Sequence, residues 1–183
     1  IANAENFMIL PILTSAFLIT NLAPSDKTGG KIFIVGLLLG TAFLFKIVAV
    51  FDLGAFLIFW IFLKLSKIKI LFKELLLLLL GFFIPFALTS LFFILRGAFA
   101  DFLKAVLSSN IGYGGYANKL IIPQGFLITK FALLFVFIIF LFLQRKKFRP
   151  TEIFVFLWFG FSLFNAFFSG RPYTHYLLVL LPS

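Results

Sequence analysis

The chain has 183 residues, of which 63% are hydrophobic and 12% are charged, and its mean hydropathy is +1.19. Roughly a quarter of the residues of a soluble domain are charged, so this composition excludes a soluble class and predicts an integral membrane protein. The net charge is +10. A nucleic-acid-binding protein would carry such charge on one face of a soluble fold, and this composition excludes a soluble fold. The expected partner of the basic residues is therefore the lipid bilayer with its anionic headgroups.

The apolar runs are long and continuous, which favours helices over a barrel. A bilayer core of about 30 Å needs about 20 helical residues. The predicted spans are Phe7–Leu22, Leu75–Leu95, Phe126–Leu143, Ile153–Phe168 and a partial span from Tyr176. The apolar stretch Ile32–Leu63 is interrupted by Lys46 and Asp52, and it is long for one crossing and short for two. We predict an all-α, polytopic helical bundle with about six to seven membrane segments, forming a single membrane domain over residues 1–183.

The basic residues set the predicted orientation. Lys64–Lys73 and Arg145–Arg149 are the two strongest cationic loops, and the positive-inside rule places both in the cytoplasm. A weaker basic loop, Lys27–Lys31, also belongs inside, which requires Ile32–Leu63 to be a hairpin with its turn at Lys46–Asp52 on the outer side. The outer face then collects Glu5, this turn, the loop Arg96–Gln124 and the stretch Ser169–Tyr176.

The long outer loop contains two patterns. Phe99, Phe102, Leu103 and Val106 follow helical spacing and predict a short amphipathic helix in the headgroup plane. The segment "IGYGGYANK" follows, with three Gly around Tyr113 and Tyr116, and predicts a flexible loop that carries aromatic side chains.

The outer polar residues have ordinary structural explanations as well as functional ones. Glu5 and Asp52 are solvated acids at helix ends, or they bind a ligand. Lys46 extends to the interface, or it neutralises an anion. The tyrosines belong to an aromatic belt, or they line a site. The stretch "SGRPYTHY" (Ser169–Tyr176) is harder to explain structurally, because an outer Arg171 is disfavoured by topology and Pro172 fixes the chain at a helix start.

Several segments resemble the GT-C membrane glycosyltransferases. They are "AENFMILP" (Ala4–Pro11), "GLLLGTAFLFK" (Gly36–Lys46), "GAFADFLKAVLSSNIGYGG" (Gly97–Gly115) and "SGRPYTHYLLVLLP" (Ser169–Pro182). The nearest branch comprises the protein O-mannosyltransferases, the aminoarabinose transferase of lipid A and the bacterial Rgt-type sugar transferases. Ile47-Val48 follow Lys46 where the aminoarabinose branch tends to have Gly-Pro, which favours the Rgt-type branch.

This resemblance implies a GT-C-type bundle and an enzyme that transfers a hexosyl or pentosyl group from a polyprenyl-phosphate donor. The acceptor is a glycan, a lipid or a protein at the outer face of a bacterial plasma (inner) membrane. The substrate-binding candidates are Glu5, Lys46, Tyr113, Tyr116, Arg171, Tyr173 and His175. Lys46 and Arg171 are expected to neutralise the leaving phosphate, and His175 to donate a hydrogen bond to phosphate or sugar. Tyr113 and Tyr116 are expected to offer ring faces to the sugar.

No catalytic residue and no metal ligand is assigned. In the family the catalytic Asp follows the first span, so we expect the sequence to be an internal piece of a longer chain with this Asp upstream of Ile1. No cofactor is identified; a divalent metal held with the help of Glu5 is one option, and a sugar hydroxyl at Glu5 is the other.

Two other functions stay open at this point. A transporter or flippase of a lipid-linked or anionic substrate also carries Lys, Arg and His in its spans, although such proteins usually show internal repeats, and none is visible here. An O-antigen ligase or polymerase is the third, and it typically relies on large external loops.

Overall fold

The computed structural model describes residues 4–22, 28–108 and 127–168, and for residues 4 and 5 only the backbone. The helices in these ranges are α1 Ala4–Thr20, α2 Gly29–Phe45, α3 Ala49–Lys64, α4 Ile68–Leu95, α5 Phe99–Leu103, α6 Leu127–Gln144 and α7 Pro150–Phe168. A π-helical turn, Lys104–Ser108, follows α5, and a 3-10 turn, Arg145–Lys147, lies between α6 and α7. The described residues contain no strand, which confirms the predicted all-α class.

Three segments are long and apolar enough to cross a membrane: α4, the run Leu127–Lys147 that contains α6, and α7. This indicates a membrane protein. The predicted number of six to seven spans is not reached, because α1, α2 and α3 have 16 or 17 residues each. A helix of that length extends about 25 Å, which is less than the bilayer core.

The surfaces of α4 and α6 are suited to lipid. Large apolar side chains are exposed along both helices, among them Phe72, Leu88, Leu95, Ile128 and Leu143. Exposure of these side chains to water would be unfavourable, and a monomeric soluble protein rarely exposes apolar patches this extensive. The bulk of each helix therefore faces away from the protein core.

Helices α2 and α3 form the predicted hairpin, with a shorter turn than expected. The turn is Lys46–Val48, where the Ala49 N–H donates to the Lys46 carbonyl oxygen over 3.1 Å. Asp52, predicted at the turn, instead lies in the first turn of α3. The start of α2 and the end of α3 meet at Glu74, since Thr28 and Trp60 both donate hydrogen bonds to its carboxylate.

Close helix packing joins α2 to α4. Gly36 and Gly40, four residues apart, lie on the face of α2 that contacts α4, and a Cβ on either would overlap a backbone carbonyl oxygen of α4. Gly81 of α4 faces Phe33 of α2 in the same way. Small residues at this spacing let helix backbones approach closely in membranes. The motif "GLLLG" therefore has a packing role.

Aromatic rings join α3 to α7, and these helices run antiparallel. Phe59 contacts Phe154 near one end, with ring centroids 5.1 Å apart, and Phe51 contacts Phe164 near the other, at 5.2 Å. Helix α6 covers α7, because the Gly160 position lies against Phe137. The start of α3 thus lies beside the end of α7.

The predicted amphipathic helix is present in shortened form. Helix α5 begins at Phe99 as expected and ends at Leu103, and the π-helical turn continues to Ser108. Phe102 is buried, with its ring stacked 4.8 Å from that of Phe93 of α4, while Asp101 and Lys104 are exposed. The apolar side of this segment packs on α4.

Candidate functional site at the Lys46 end of the bundle

The sequence-predicted site residues are only partly within the described structure. Lys46 lies at the α2–α3 turn and is half-buried. Glu5 lies in the first turn of α1, and its side chain is outside the described part. The others lie outside the described residues altogether: Tyr113, Tyr116, Arg171, Tyr173 and His175. Of the predicted site residues, only the Lys46 side chain lies in the described part of the chain, so the site is built from the residues around Lys46.

Asp52 is a buried carboxyl group six residues beyond Lys46. It is 4% exposed. Its Oδ1 atom accepts a hydrogen bond of 2.7 Å from the indole N–H of Trp158 in α7. Its Oδ2 atom is also buried and has no hydrogen-bond partner. Buried carboxyl oxygens are nearly always paired, so this oxygen requires an explanation.

Two further unpartnered polar groups lie on α7. Trp158, Ser162 and Asn165 recur at i, i+4 and i+7, which places them on one face of the helix. Ser162 and Asn165 are 2% and 6% exposed. The Ser162 hydroxyl and the Asn165 Nδ2 group are without a partner. We call Asp52, Trp158, Ser162 and Asn165 the Asp52 cluster.

The end of α7 is held beside the start of α3. The Phe51 ring lies 5.2 Å from the Phe164 ring and 5.1 Å from the Phe168 ring, centroid to centroid. From α6, the Lys130 ammonium donates a 2.6 Å hydrogen bond to the Phe167 carbonyl oxygen. The last carbonyls of a helix have no partner within it, and a cation there is favourable. These contacts fix the point from which the chain continues into Ser169–Tyr176.

A second buried polar group, the Glu74 cluster, lies at the other end of α3. The Glu74 carboxylate accepts hydrogen bonds from the Thr28 hydroxyl and, over 2.9 Å, from the Trp60 indole N–H. The Lys64 ammonium is 3.6 Å from the same carboxylate. Both Glu74 oxygens have donors here, in contrast to Asp52. The Glu74 cluster therefore has a structural role: its hydrogen bonds and ion pair hold α3, α4 and the start of α2 together.

The two clusters differ in what they can do chemically. The Asp52 cluster offers a free carboxyl oxygen, a free hydroxyl and a free amide N–H, which can accept and donate hydrogen bonds to a further molecule. In the described ranges, no three His, Asp or Glu side chains lie together as a metal site. The Asp52 cluster is thus a hydrogen-bonding site, with the Lys46 cation a short way along the chain.

Sequence reasoning missed most of these residues. It singled out Asp52, but it treated Ser162 and Asn165 as part of an apolar span. The available signal was the helical spacing of Trp158, Ser162 and Asn165, because polar residues within a span usually face the protein interior. Glu74 carried a similar signal, as a lone acid before the apolar run Leu75–Leu80.

Comparison of the chain with protein-family models, with curated proteins and with solved structures gives no significant match, so the resemblance of its motifs to the GT-C glycosyltransferases stays a prediction.

Proposed function

We propose that this chain is part of a membrane glycosyltransferase that moves a sugar from a polyprenyl-phosphate donor to a glycan, lipid or protein acceptor. One observation carries the proposal: the Lys46 turn and the end of α7 lie at the same end of the bundle. Phe51, five residues beyond Lys46, contacts Phe168, the last residue of α7. Arg171 follows Phe168 by only three residues in the sequence, which favours a place for it at the same end of the bundle. The two predicted phosphate-binding cations can therefore approach one donor.

The charge distribution supports the direction of the proposal. The basic residues Lys67, Lys69 and Lys73 are exposed at the opposite end of the bundle, near the end of α3. The positive-inside rule assigns that end to the cytoplasm and the Lys46 end to the outer face. On this proposal α1, α2 and α3 also cross, which gives six membrane segments in the described ranges. A helix short of the bilayer thickness is accommodated by local thinning at modest cost. The membrane would be the plasma membrane of a bacterium.

The chemistry follows from the departing group. Cleavage of the donor's glycosidic bond leaves negative charge on the polyprenyl phosphate, and positioned cations stabilise that charge. The Arg171 guanidinium matches the paired oxygens of a phosphate, and the Lys46 ammonium supplies a point charge. Glu5 binds a sugar hydroxyl. The sugar is also contacted by Tyr113, Tyr116, Tyr173 and His175. The acceptor hydroxyl must also lose its proton to a base, a role that is assigned to none of these residues.

Substitution at Lys46 tests the proposal. The full-length protein is assayed in membranes for transfer of labelled sugar from a polyprenyl-phosphate donor. Lys46→Ala is expected to lower the turnover about 10²-fold, because one stabilising charge is lost from the transition state. Lys46→Arg is expected to keep part of the activity. Lys31→Ala is the matched control, since Lys31 is an exposed lysine at the other end of α2.

Two results would contradict the proposal. Wild-type turnover in Lys46→Ala and Arg171→Ala, at limiting donor and equal protein level, would leave both side chains as membrane anchors. Movement of the labelled donor across vesicle membranes without any sugar transfer would identify a flippase instead.

A further inference from the structure

The Asp52 cluster concentrates the unpartnered polar atoms of the bundle. In the described ranges, four buried side-chain atoms have no hydrogen-bond partner, and three of them are Asp52 Oδ2, Ser162 Oγ and Asn165 Nδ2. The fourth, Ser90 Oγ, lies on α4. A buried polar atom without a partner is destabilising, so Asp52 Oδ2 and the two free groups on one face of α7 are the strongest candidates for ligand contacts in the described ranges.

The three atoms lie along one helix interface. The Trp158–Asp52 hydrogen bond sets the level of Asp52 against α7. Ser162 follows Trp158 by about 6 Å along the α7 axis and Asn165 by about 10 Å, in the direction of the outer end. The contact of Phe51 with Phe164 places the neighbours of Asp52 and Asn165 against each other. The free groups of α7 therefore lie in the half of that helix that packs beside the start of α3.

Their hydrogen-bonding capacity selects the ligand class. Asp52 Oδ2 accepts when ionised, Asn165 Nδ2 donates, and the Ser162 hydroxyl does both. A hydroxyl group also donates and accepts at once, so a ligand with several hydroxyl groups can supply a partner for each kind of atom. The phosphodiester of a lipid-linked donor has no O–H or N–H group to donate to Asp52. The aromatic rings of Trp158 and Phe51 nearby suit the apolar C–H face of a sugar ring.

We propose that the Asp52 cluster binds the hydroxyl groups of a sugar, namely the sugar of the lipid-linked donor. This inference rests on the proposed function, since the donor is what brings a sugar to this end of the bundle. The donor phosphate then meets Lys46, and its sugar extends toward α7. Because the cluster is closed to solvent, access requires the contacts of Phe51 with Phe164 and Phe168 to part.

The test measures sugar binding apart from transfer. Full-length protein in lipid nanodiscs is titrated with a panel of methyl hexosides and pentosides by saturation-transfer NMR. Asp52→Asn keeps an acceptor for Trp158 and removes the charge, and Asn165→Leu removes the free amide at similar volume. We expect Kd for the bound glycoside to rise at least 10-fold in both variants. Ser90→Ala, which removes an unpartnered hydroxyl elsewhere, should leave Kd unchanged.

Thermal unfolding separates binding from folding. Asn165→Leu removes an unsatisfied buried group, so its midpoint without ligand should equal or exceed that of the wild type. Asp52→Asn keeps the shape of the side chain and the acceptor for Trp158, so its midpoint without ligand should stay close to that of the wild type. Sugar transfer from the donor is followed on the same samples. The subsite would be overturned if the wild type bound no glycoside, or if both variants bound it with the Kd of the wild type. Sugar transfer by the wild type would in either case keep the transferase proposal. Asp52-dependent binding without any transfer would support the subsite and overturn the transferase proposal.

Discussion

The Lys64–Glu74 pair gives the sharpest test of what holds the bundle together. Lys64 is 1% exposed and Glu74 is 2% exposed, and the two charges are 3.6 Å apart. Glu74→Leu leaves the buried Lys64 ammonium without this carboxylate and deprives Trp60 and Thr28 of their acceptor. Breaking a buried pair by removing one partner costs about 3–5 kcal/mol. We expect the free energy of unfolding to fall by that amount.

The double variant Lys64→Met/Glu74→Leu isolates the charge term. It removes both ions together, and replacing a buried pair by apolar side chains is often neutral. We therefore expect it to recover most of the loss, to within about 2 kcal/mol of the wild type, the remainder reflecting the hydrogen bonds that Trp60 and Thr28 no longer donate to Glu74.

The assay is reversible unfolding of the full-length protein by SDS titration in mixed micelles. Glu152→Gln is the control, because Glu152 is an exposed acid of α7 whose carboxylate accepts from the Arg149 N–H. It should cost less than about 1 kcal/mol. A loss below about 1 kcal/mol in Glu74→Leu would refute the reasoning, and so would a double variant no more stable than the single one.

Three further predictions concern packing, the α7 end and topology. Gly36→Ala should lower the unfolding free energy of the full-length protein, because the Cβ overlaps α4, whereas Gly30→Ala, which meets open space, should be neutral or stabilising by up to about 1 kcal/mol. Lys130→Met should cost about 1.5–3 kcal/mol by SDS titration, because a charged donor to the last turn of α7 is lost, and an unchanged midpoint would show that the cap is not needed. A cysteine at Ser66 should be shielded from an impermeant thiol reagent in intact cells and one at Asn118 labelled; the reverse pattern would invert the proposed orientation.

The helices were predictable from the sequence where a long apolar run or a charged residue interrupting such a run marked them. The apolar runs and the charge at Lys46 located the α2–α3 hairpin, because a charged residue in mid-bilayer is costly. The boundaries were less predictable. Helix α4 begins at Ile68 rather than Leu75, since Lys69 and Lys73 are good helix formers whose polarity ends the apolar run without ending the helix.

The site was less predictable than the fold for a physical reason. Lys46 and Asp52 interrupt an apolar stretch, so hydropathy alone draws attention to them. Ser162 and Asn165 are small polar groups within a span, and their effect depends on which helix they face. That pairing comes from the aromatic contacts between α3 and α7, in a chain with 31 Phe whose individual partners no sequence pattern specifies.

Helix α3 shows why an unsatisfied cluster points to function. Its two ends carry one acid-containing cluster each, in the same apolar bundle. At the Lys64 end both carboxylate oxygens of Glu74 accept hydrogen bonds, and these bonds join three helices. At the Asp52 end one oxygen has none, although a fully paired arrangement is evidently attainable at the other end of the same helix. Natural proteins leave buried polar groups without hydrogen-bond partners mainly at functional sites. Such a departure is selected only if something else compensates it, and a bound sugar at the Lys46 end would do so.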